Sequence, residues 1–380
     1  MLPPNWKRLM ISRLRTMFNR FHENPRTFID ITKYGHEQYQ DIIINNEIIK
    51  KTTRNRAESE LRFRIIQDIL DRYMRPFTML DIGARQGYYS FRTAHNYDCV
   101  CVMIEGDNAH YPQVGRQLLD LCKANTSLEN IILLNKHITP PDLKRLSECE
   151  SFDVVLALNI IHWFGDRWQQ VADAVLAMGD KIIIETPPLE DFATSEQNTT
   201  RKSIRDYLSY RGAKIIAEVP RHTSDNTSFI YFFETEKKTL SRKQWLMPEG
   251  QCDHLIIDSN YKTKKLVKKL SGPQNTRANE WVPGINLMTF LMYHGAYPSR
   301  SKIKQMIKDM ACHTTHNDWT ANNMILQGNK LQLIDWDDSS HGISGGRMAS
   351  SKVLKRHLRL AGIENPENIE KFFWNRLIKS

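Results

Sequence analysis

The chain has 380 residues, of which 41% are hydrophobic and 25% are charged. This is the composition of an ordinary globular protein, and it excludes a disordered or collagen-like chain. The charge is unevenly spread, because residues 237–380 contain 23 Lys and Arg against 12 Asp and Glu, whereas residues 1–236 are close to neutral. Length and charge together predict two units with different ligands. The basic unit could meet phosphate or another anionic surface, or it could simply carry a solvated lysine-rich face.

The cysteines and the apolar runs indicate the cellular compartment of the protein. The six cysteines include no CxxC pair, so we expect buried thiols in a reducing cytosol. No run approaches the roughly 20 apolar residues of a membrane span, and no signal-peptide core is visible. Residues 5–21 have the pattern of a basic amphipathic helix. Such a helix could pack on its own domain, or residues 1–22 could contact the inner face of a membrane, so we expect a cytoplasmic protein that is soluble or peripheral.

From residue 57 onward, helix-length segments alternate with short apolar runs. A first helix is predicted over Ala57–Met74. The runs that predict buried parallel strands are Phe77–Ile82, Cys99–Ile104, Ile131–Leu134, Phe152–Leu158 and Lys181–Ile184. The last two runs, Ala213–Val219 and Ser228–Phe233, leave no room for a crossover helix and predict an antiparallel hairpin at the sheet edge. We therefore predict an α/β fold with a doubly wound sheet over residues 57–236, preceded by a helical segment over residues 1–56 that covers the ligand.

The rest of the chain predicts a smaller α+β domain over residues 251–380, joined by a linker over residues 237–250. Its predicted elements are a hairpin over 254–258 and 264–270, helices over Ile285–Tyr293 and Ser301–Met310, a strand over Leu331–Ile334, and helical stretches over 351–360 and 365–378. A Gly328-Asn329 turn precedes the predicted strand.

The first predicted strand ends in the turn Asp81-Ile82-Gly83-Ala84-Arg85-Gln86-Gly87, which opens a helix. Gly83 and Gly87 allow the backbone to approach a ligand closely, as in nucleotide-binding turns. Asp81 stands where a dinucleotide-binding turn has its first glycine, and a carboxylate suits an ammonium group but repels a diphosphate. Glu105, at the end of the next predicted strand, can accept hydrogen bonds from both hydroxyls of a ribose. These two acids predict a site for S-adenosylmethionine rather than for NAD or ATP.

Residues 60–235 resemble class I S-adenosylmethionine-dependent methyltransferases. The resemblance is carried by the glycine turn, by Glu105, by the segment Phe152–Asn159 and by the terminal hairpin. It implies a Rossmann-like fold, and it implies that the following residues bind the cofactor: Asp81, Gly83, Gly87, Glu105 and Asn159.

The catalytic residue of such a site is less specified, because methyl transfer depends mostly on alignment and only sometimes on a base. His162 follows the fourth predicted strand and could take a proton from a hydroxyl, or it could be a structural histidine. Glu185, at the end of the fifth predicted strand, is a further candidate for lining the site.

A second motif, His316-Asn317-Asp318-Trp319-Thr320-Ala321-Asn322-Asn323, is followed by Asp335-Trp336-Asp337. Phosphoryl transfer needs a carboxylate at the attacking hydroxyl and oxygen ligands for magnesium. Asp318 fits the first role, and Asn323 and Asp335 fit the second. The motif resembles the loops of protein-kinase-like phosphotransferases, especially sugar and aminoglycoside kinases, which implies ATP and Mg²⁺ as cofactors. Two adjacent residues could be the phosphate-binding lysine of that family: Lys268 and Lys269.

Together the two halves resemble bifunctional kinase–methyltransferases that cap O-antigen chains, over residues 36–335. This resemblance adds Tyr39, Gln40 and Arg54 as residues that close over the cofactor. It implies a methyltransferase that acts on a sugar, a glycan or a phosphorylated small molecule, with a reduced kinase-like domain that could phosphorylate the acceptor. Two alternatives stay open: a C-terminal domain that only binds the acceptor, or an RNA methyltransferase. The second is disfavoured because aromatic residues do not alternate with the basic clusters.

Overall fold

The computed structural model describes most of the first half of the chain and parts of the second. The described residues are 38–52, 59–73, 76–108, 111–188, 195–220, 227–235, 255–258, 265–266, 282–311 and 324–333. The helices predicted over 5–21, 351–360 and 365–378 and the linker predicted over 237–250 lie outside them. Within these residues, no helix is both long enough and apolar enough to cross a membrane.

An eight-stranded mixed sheet organises the structure. In spatial order its strands are β13 (Gly295–Tyr297), β5 (Ile131–Asn135), β4 (Cys99–Glu105), β3 (Phe77–Ile82), β6 (Phe152–Leu158), β7 (Gly179–Thr186), β9 (Thr227–Glu234) and β8 (Lys214–Pro220). The five strands from β5 to β7 run parallel. The hairpin β8–β9 is antiparallel at one edge, as predicted, and β13 pairs antiparallel with β5 at the other edge.

Helices cover both faces of this sheet. They are α1 (Ser59–Leu70), α2 (Tyr88–Asn96), α3 (Val114–Ala124), α4 (Pro140–Cys149), α5 (Trp168–Met178) and α6 (Ser195–Tyr210). Because side chains alternate along a strand, Leu80 and Ile82 of β3 join one apolar core while Phe77 and Met79 join the core on the other face. This arrangement confirms the Rossmann-like α/β sheet. Of the predicted buried thiols, Cys99, Cys101 and Cys122 are buried and free, whereas Cys149 is free but partly exposed, so the prediction is wrong for that residue.

A small hairpin precedes the sheet, formed by β1 (Ile42–Ile44) and β2 (Glu47–Lys50). Its turn is Asn45-Asn46, and both residues have positive φ, at 48° and 67°. Asparagine tolerates this left-handed conformation, which two-residue hairpin turns require. The helical expectation for residues 1–56 is therefore wrong over 42–50.

The described C-terminal residues form a second sheet and two helices. In spatial order the strands are β11 (Lys265–Leu266), β10 (Leu255–Asp258), β15 (Lys330–Leu333), β14 (Met324–Leu326) and β12 (Ile285–Asn286). The helices are α7 (Leu287–Met292) and α8 (Arg300–Ala311). The antiparallel pair β10–β11 confirms the predicted hairpin. The first turn of the helix predicted over Ile285–Tyr293 is instead the short strand β12.

These C-terminal elements pack directly on the large sheet. The Gly284 N–H donates to Thr78 Oγ1 at 2.7 Å, and the buried Glu150 carboxylate accepts from the Asn286 N–H at 2.9 Å and from the Thr289 hydroxyl at 2.6 Å. Phe290 belongs to the same apolar core as the sheet. The described part of the predicted second domain thus shares its core with the first. Whether residues 251–380 form a kinase-like domain stays a prediction.

Candidate functional site

A cavity of about 660 Å³ lies at the carboxyl ends of four neighbouring parallel strands, β4, β3, β6 and β7. It sits where the chain order reverses between β3 and β6, which is the usual ligand position in an open α/β sheet. Eight of the predicted site residues line it: Tyr39, Gln40, Asp81, Gly83, Glu105, Asn159, His162 and Glu185. The fold therefore brings together residues that are spread over more than a hundred positions of the sequence.

Among the other predicted site residues, the structure describes Gly87. Gly87 is the N-cap residue that precedes α2, with φ of 75°, and it is not part of the cavity lining. The remaining ones are outside the described residues: Arg54, Lys268, Lys269, Asp318, Asn323 and Asp335. Among the described residues, no group of three His, Cys, Asp or Glu could hold a metal ion.

The glycine turn follows β3 and contributes Gly83 to the cavity lining. Gly83 has a φ of 75° and donates its N–H to the Ile104 carbonyl at 2.9 Å. A Cβ at this position would overlap with the Ile160 side chain and would be strained in the left-handed conformation. Glycine at this position therefore keeps the turn close to both strands.

Asp81 is a buried carboxyl group at the end of β3, with 2% of the residue exposed. Its Oδ2 accepts a hydrogen bond from the Ser90 hydroxyl at 2.8 Å. Burial raises the pKa of Asp81 to about 7, with Glu105 adding to the rise and the Ser90 hydroxyl opposing it. Near neutral pH this group is poised between its two protonation states, so a cation in the cavity would favour the carboxylate.

Glu105 ends β4 with both carboxylate oxygens held by backbone donors. Oε2 accepts from the Arg85 N–H at 2.8 Å, and Oε1 accepts from the Gly106 N–H at 3.1 Å. Burial raises the pKa of Glu105, while the Arg85 charge and the two backbone hydrogen bonds lower it. Each oxygen keeps a further lone pair. The carboxylate is therefore fixed in place and can still accept two hydroxyl donors from a ligand.

The N-terminal segment closes one side of the cavity through Gln40. The Gln40 Oε1 accepts from the Tyr88 N–H at 3.1 Å, and the Gln40 N–H donates to Gln86 Oε1 at 3.1 Å. The first N–H groups of a helix lack intrahelical partners. Gln40 satisfies one of them at the start of α2, and this places the neighbouring Tyr39 at the cavity wall.

The structure adds a residue that the sequence analysis missed, Arg62 of α1. Its Nε and Nη2 donate to the two Glu185 oxygens at 2.9 and 2.8 Å, and Nη2 also donates to the Pro220 carbonyl at 3.0 Å. Nη1 is buried and has no hydrogen-bond partner among the described residues. Arg62 and Glu185 both line the cavity. A buried guanidinium with one unsatisfied nitrogen is suited to bind a carboxylate or phosphate of a ligand.

The opposite wall follows β6. Asn159 has a φ of 55°, donates its N–H to the Glu185 carbonyl at 3.0 Å, and has a buried Oδ1 without a hydrogen-bond partner in the described part of the chain. His162 lies in a short 3₁₀ helix, Ile161–Arg167, with its ring centroid 5.3 Å from that of Trp163. Trp163 is 62% exposed. This wall of the cavity therefore combines the polar groups of Asn159 and His162 with the largely exposed ring of Trp163.

Comparisons with known proteins give distant structural similarity only. No family model and no curated protein matches the chain. Among solved structures, it is similar to the bifunctional kinase-methyltransferase WbdD, with 13% identity over 80% of each chain and a TM-score of 0.39. It is also similar to an O-methyltransferase family protein from Burkholderia thailandensis, with 15% identity over 48% of this chain and 60% of that chain and a TM-score of 0.30. Because these TM-scores are below 0.5, we infer function from the cavity residues instead.

Proposed function

We propose that the chain is an S-adenosylmethionine-dependent methyltransferase. The observation that carries the proposal is the charge pattern of one cavity, in which Glu105, Asp81 and Arg62 present two carboxyl groups and one partly unsatisfied guanidinium. The cofactor is complementary to this pattern, because it has a ribose diol, an ammonium group, a sulfonium and a carboxylate. A dinucleotide would instead place a diphosphate beside Asp81 and Glu105.

Each of these three residues then has a distinct role. Glu105 accepts hydrogen bonds from the ribose hydroxyls, Asp81 faces the cationic groups of the methionine part, and Arg62 Nη1 binds its carboxylate. When bound, the cofactor would supply a methyl group on a sulfonium, whose carbon–sulfur bond would break as the acceptor oxygen bonds to the methyl carbon, releasing a thioether. His162 takes the proton of a hydroxyl acceptor, and an acceptor that is already anionic needs no base.

We propose a sugar or sugar phosphate as the acceptor. Lys136, His137 and Arg167 line the cavity and add basic side chains to its wall. Lys136 is partly neutralised by Asp142, whose carboxylate lies 2.7 Å from its ammonium. A basic wall favours a phosphorylated acceptor over a neutral one.

For the C-terminal part we propose a kinase-like site that supplies the phosphorylated acceptor. The support is the sequence motif that contains Asp318, Asn323 and Asp335, whose residue types suit a catalytic base and magnesium ligands. A product made in the same chain would reach the methyltransferase cavity at high effective concentration. The alternative is a C-terminal unit that binds the acceptor without phosphorylating it.

Mass spectrometry of acceptor mixtures tests both halves in one experiment. With S-adenosylmethionine alone, we expect a phosphorylated sugar to gain one methyl group. With ATP and Mg²⁺ added, we expect a plain sugar to gain a phosphate and then a methyl. The variant Asp335→Ala should still methylate the phosphorylated sugar but should no longer modify the plain one.

For each half of this experiment, one result would contradict the proposal. Methylation of no sugar acceptor by the wild type, with methyl transfer to RNA instead, would contradict the proposed acceptor. Equal phosphorylation by wild type and Asp335→Ala would contradict the kinase-like assignment.

Cofactor affinity should also depend on pH through Asp81. Above its pKa of about 7 the group is a carboxylate that attracts the cationic cofactor, and below it the group is a neutral acid. We therefore expect the affinity for S-adenosylmethionine to fall as pH drops from about 8 to about 6. Calorimetry across this range measures the effect, and Asp81→Asn should flatten the profile. A wild-type affinity that rises on acidification would refute this role of Asp81.

A further inference from the structure

Arg85 has a backbone conformation that a residue with a side chain rarely adopts. The non-glycine residues with positive φ among the described residues are Asn45, Asn46, Arg85, Gln113, Asn159 and His294. Asparagine and histidine are tolerated in this region, whereas arginine and glutamine are not favoured there. Arg85, with φ of 54°, and Gln113, with φ of 70°, are thus the two unusual cases.

The backbone contact of Arg85 does not explain why the residue is an arginine. Its N–H donates to Glu105 Oε2 at 2.8 Å. A glycine would supply the same N–H without the steric cost of a Cβ in the left-handed conformation. The advantage of arginine must therefore lie in its side chain, since strained residues persist at sites where function needs them.

The Arg85 guanidinium stacks on the Tyr111 ring and lies near the Tyr39 ring at the cavity wall. Its guanidinium carbon lies 3.6 Å from the Tyr111 ring centroid and 5.6 Å from that of Tyr39. All three residues line the cavity, as does Glu105. The guanidinium makes no side-chain hydrogen bond within the described part of the structure, so its N–H groups are available to a ligand. Guanidinium planes and tyrosine rings are both surfaces on which a purine base can stack.

We propose that Arg85 is a binding residue that forms, with Tyr39 and Tyr111, the wall for the nucleoside part of the cofactor beside Glu105. This inference rests on the proposed function and adds a residue that determines nucleoside affinity. The left-handed conformation of Arg85 is then retained for ligand binding at the expense of backbone strain.

The test replaces each strained residue by glycine in the full-length chain and measures two quantities. Calorimetry with S-adenosylmethionine should show about tenfold weaker binding by Arg85→Gly, the usual size of one lost stacking contact. Thermal unfolding of the same variant should occur at a temperature no lower than that of the wild type, because relief of strain offsets the lost stack. Gln113→Gly is the matched control, since Gln113 is exposed, has the same backbone strain and is not part of the cavity lining. It should bind the cofactor as the wild type does.

The outcomes separate this inference from the proposed function. Absence of binding by the wild type would overturn both. Wild-type affinity in Arg85→Gly would overturn the role of Arg85 alone. Arg85→Lys keeps the charge and the backbone conformation but loses the planar stack, so it should bind about tenfold more weakly as well. Full affinity in Arg85→Lys would overturn the stacked wall, whatever the stability of the glycine variant.

Discussion

Replacing Arg62 by alanine is expected to lower the free energy of unfolding by about 3–5 kcal/mol. The variant would leave the Glu185 carboxylate buried, with 2% of the residue exposed, and without its two guanidinium hydrogen bonds. An unpaired buried charge is far more costly than the loss of an exposed ion pair. Urea denaturation followed by circular dichroism measures the change.

A double variant separates loss of the pair from loss of one partner. Arg62→Met with Glu185→Leu removes both charges and should recover much of the stability lost in Arg62→Ala, because apolar replacement of a whole buried pair is often nearly neutral.

Arg62→Lys keeps a charge but cannot form the bidentate contact, so it should bind S-adenosylmethionine about 10- to 100-fold more weakly. Unchanged stability in Arg62→Ala would contradict the buried ion pair, and unchanged affinity in Arg62→Lys would contradict the role of Nη1.

Replacing Glu105 by alanine is expected to weaken binding of S-adenosylmethionine by about 100-fold or more. Two hydrogen bonds from ribose hydroxyls to a charged group would be lost, each worth about 1.5–3 kcal/mol. The Arg85 and Gly106 N–H groups would lose their acceptor as well. Calorimetry with the cofactor measures the effect directly.

Two further variants control for this result. Glu105→Gln keeps one acceptor oxygen and should retain part of the affinity. Glu234→Gln changes an exposed carboxylate, 3.7 Å from the Lys181 ammonium and outside the cavity lining, and should bind as the wild type does. Equal affinity in the wild type, Glu105→Ala and Glu105→Gln would contradict the assignment of Glu105 to the ribose.

Local sequence pattern was sufficient for seven of the eight strands of the large sheet. Phe77–Ile82 and Phe152–Leu158 were predicted with the bounds that the structure shows, because parallel strands buried on both faces are continuous apolar runs. The strand β13 was not predicted, since its three residues have no strand pattern and are held by pairing with β5, which is distant in the sequence. The hairpin β1–β2 had a usable signal, the Asn45-Asn46 turn between two isoleucine-rich runs.

The candidate site was predictable where its polar residues lie at the end of a strand. Asp81, Glu105 and Asn159 each lie at or just beyond a strand end, so the sheet itself brings them together. Arg62 could not be found in this way, because a single arginine in an amphipathic helix looks like a solvent-exposed residue until tertiary structure buries it against Glu185. The sequence shows Arg85 only as one residue of the glycine turn. Its positive φ, which the structure shows, distinguishes it from the other residues of the turn that have side chains.

Competitive calorimetry on the full-length protein is the most direct measurement of the cavity's ligand. We expect S-adenosylmethionine and its demethylated product to bind at one site per chain, to compete with each other, and to be unaffected by NAD or ATP. If NAD instead binds tightly and neither sulfur-containing ligand gives measurable heat, then the acids at the ends of β3 and β4 do not recognise a cationic cofactor, and the methyltransferase assignment is wrong.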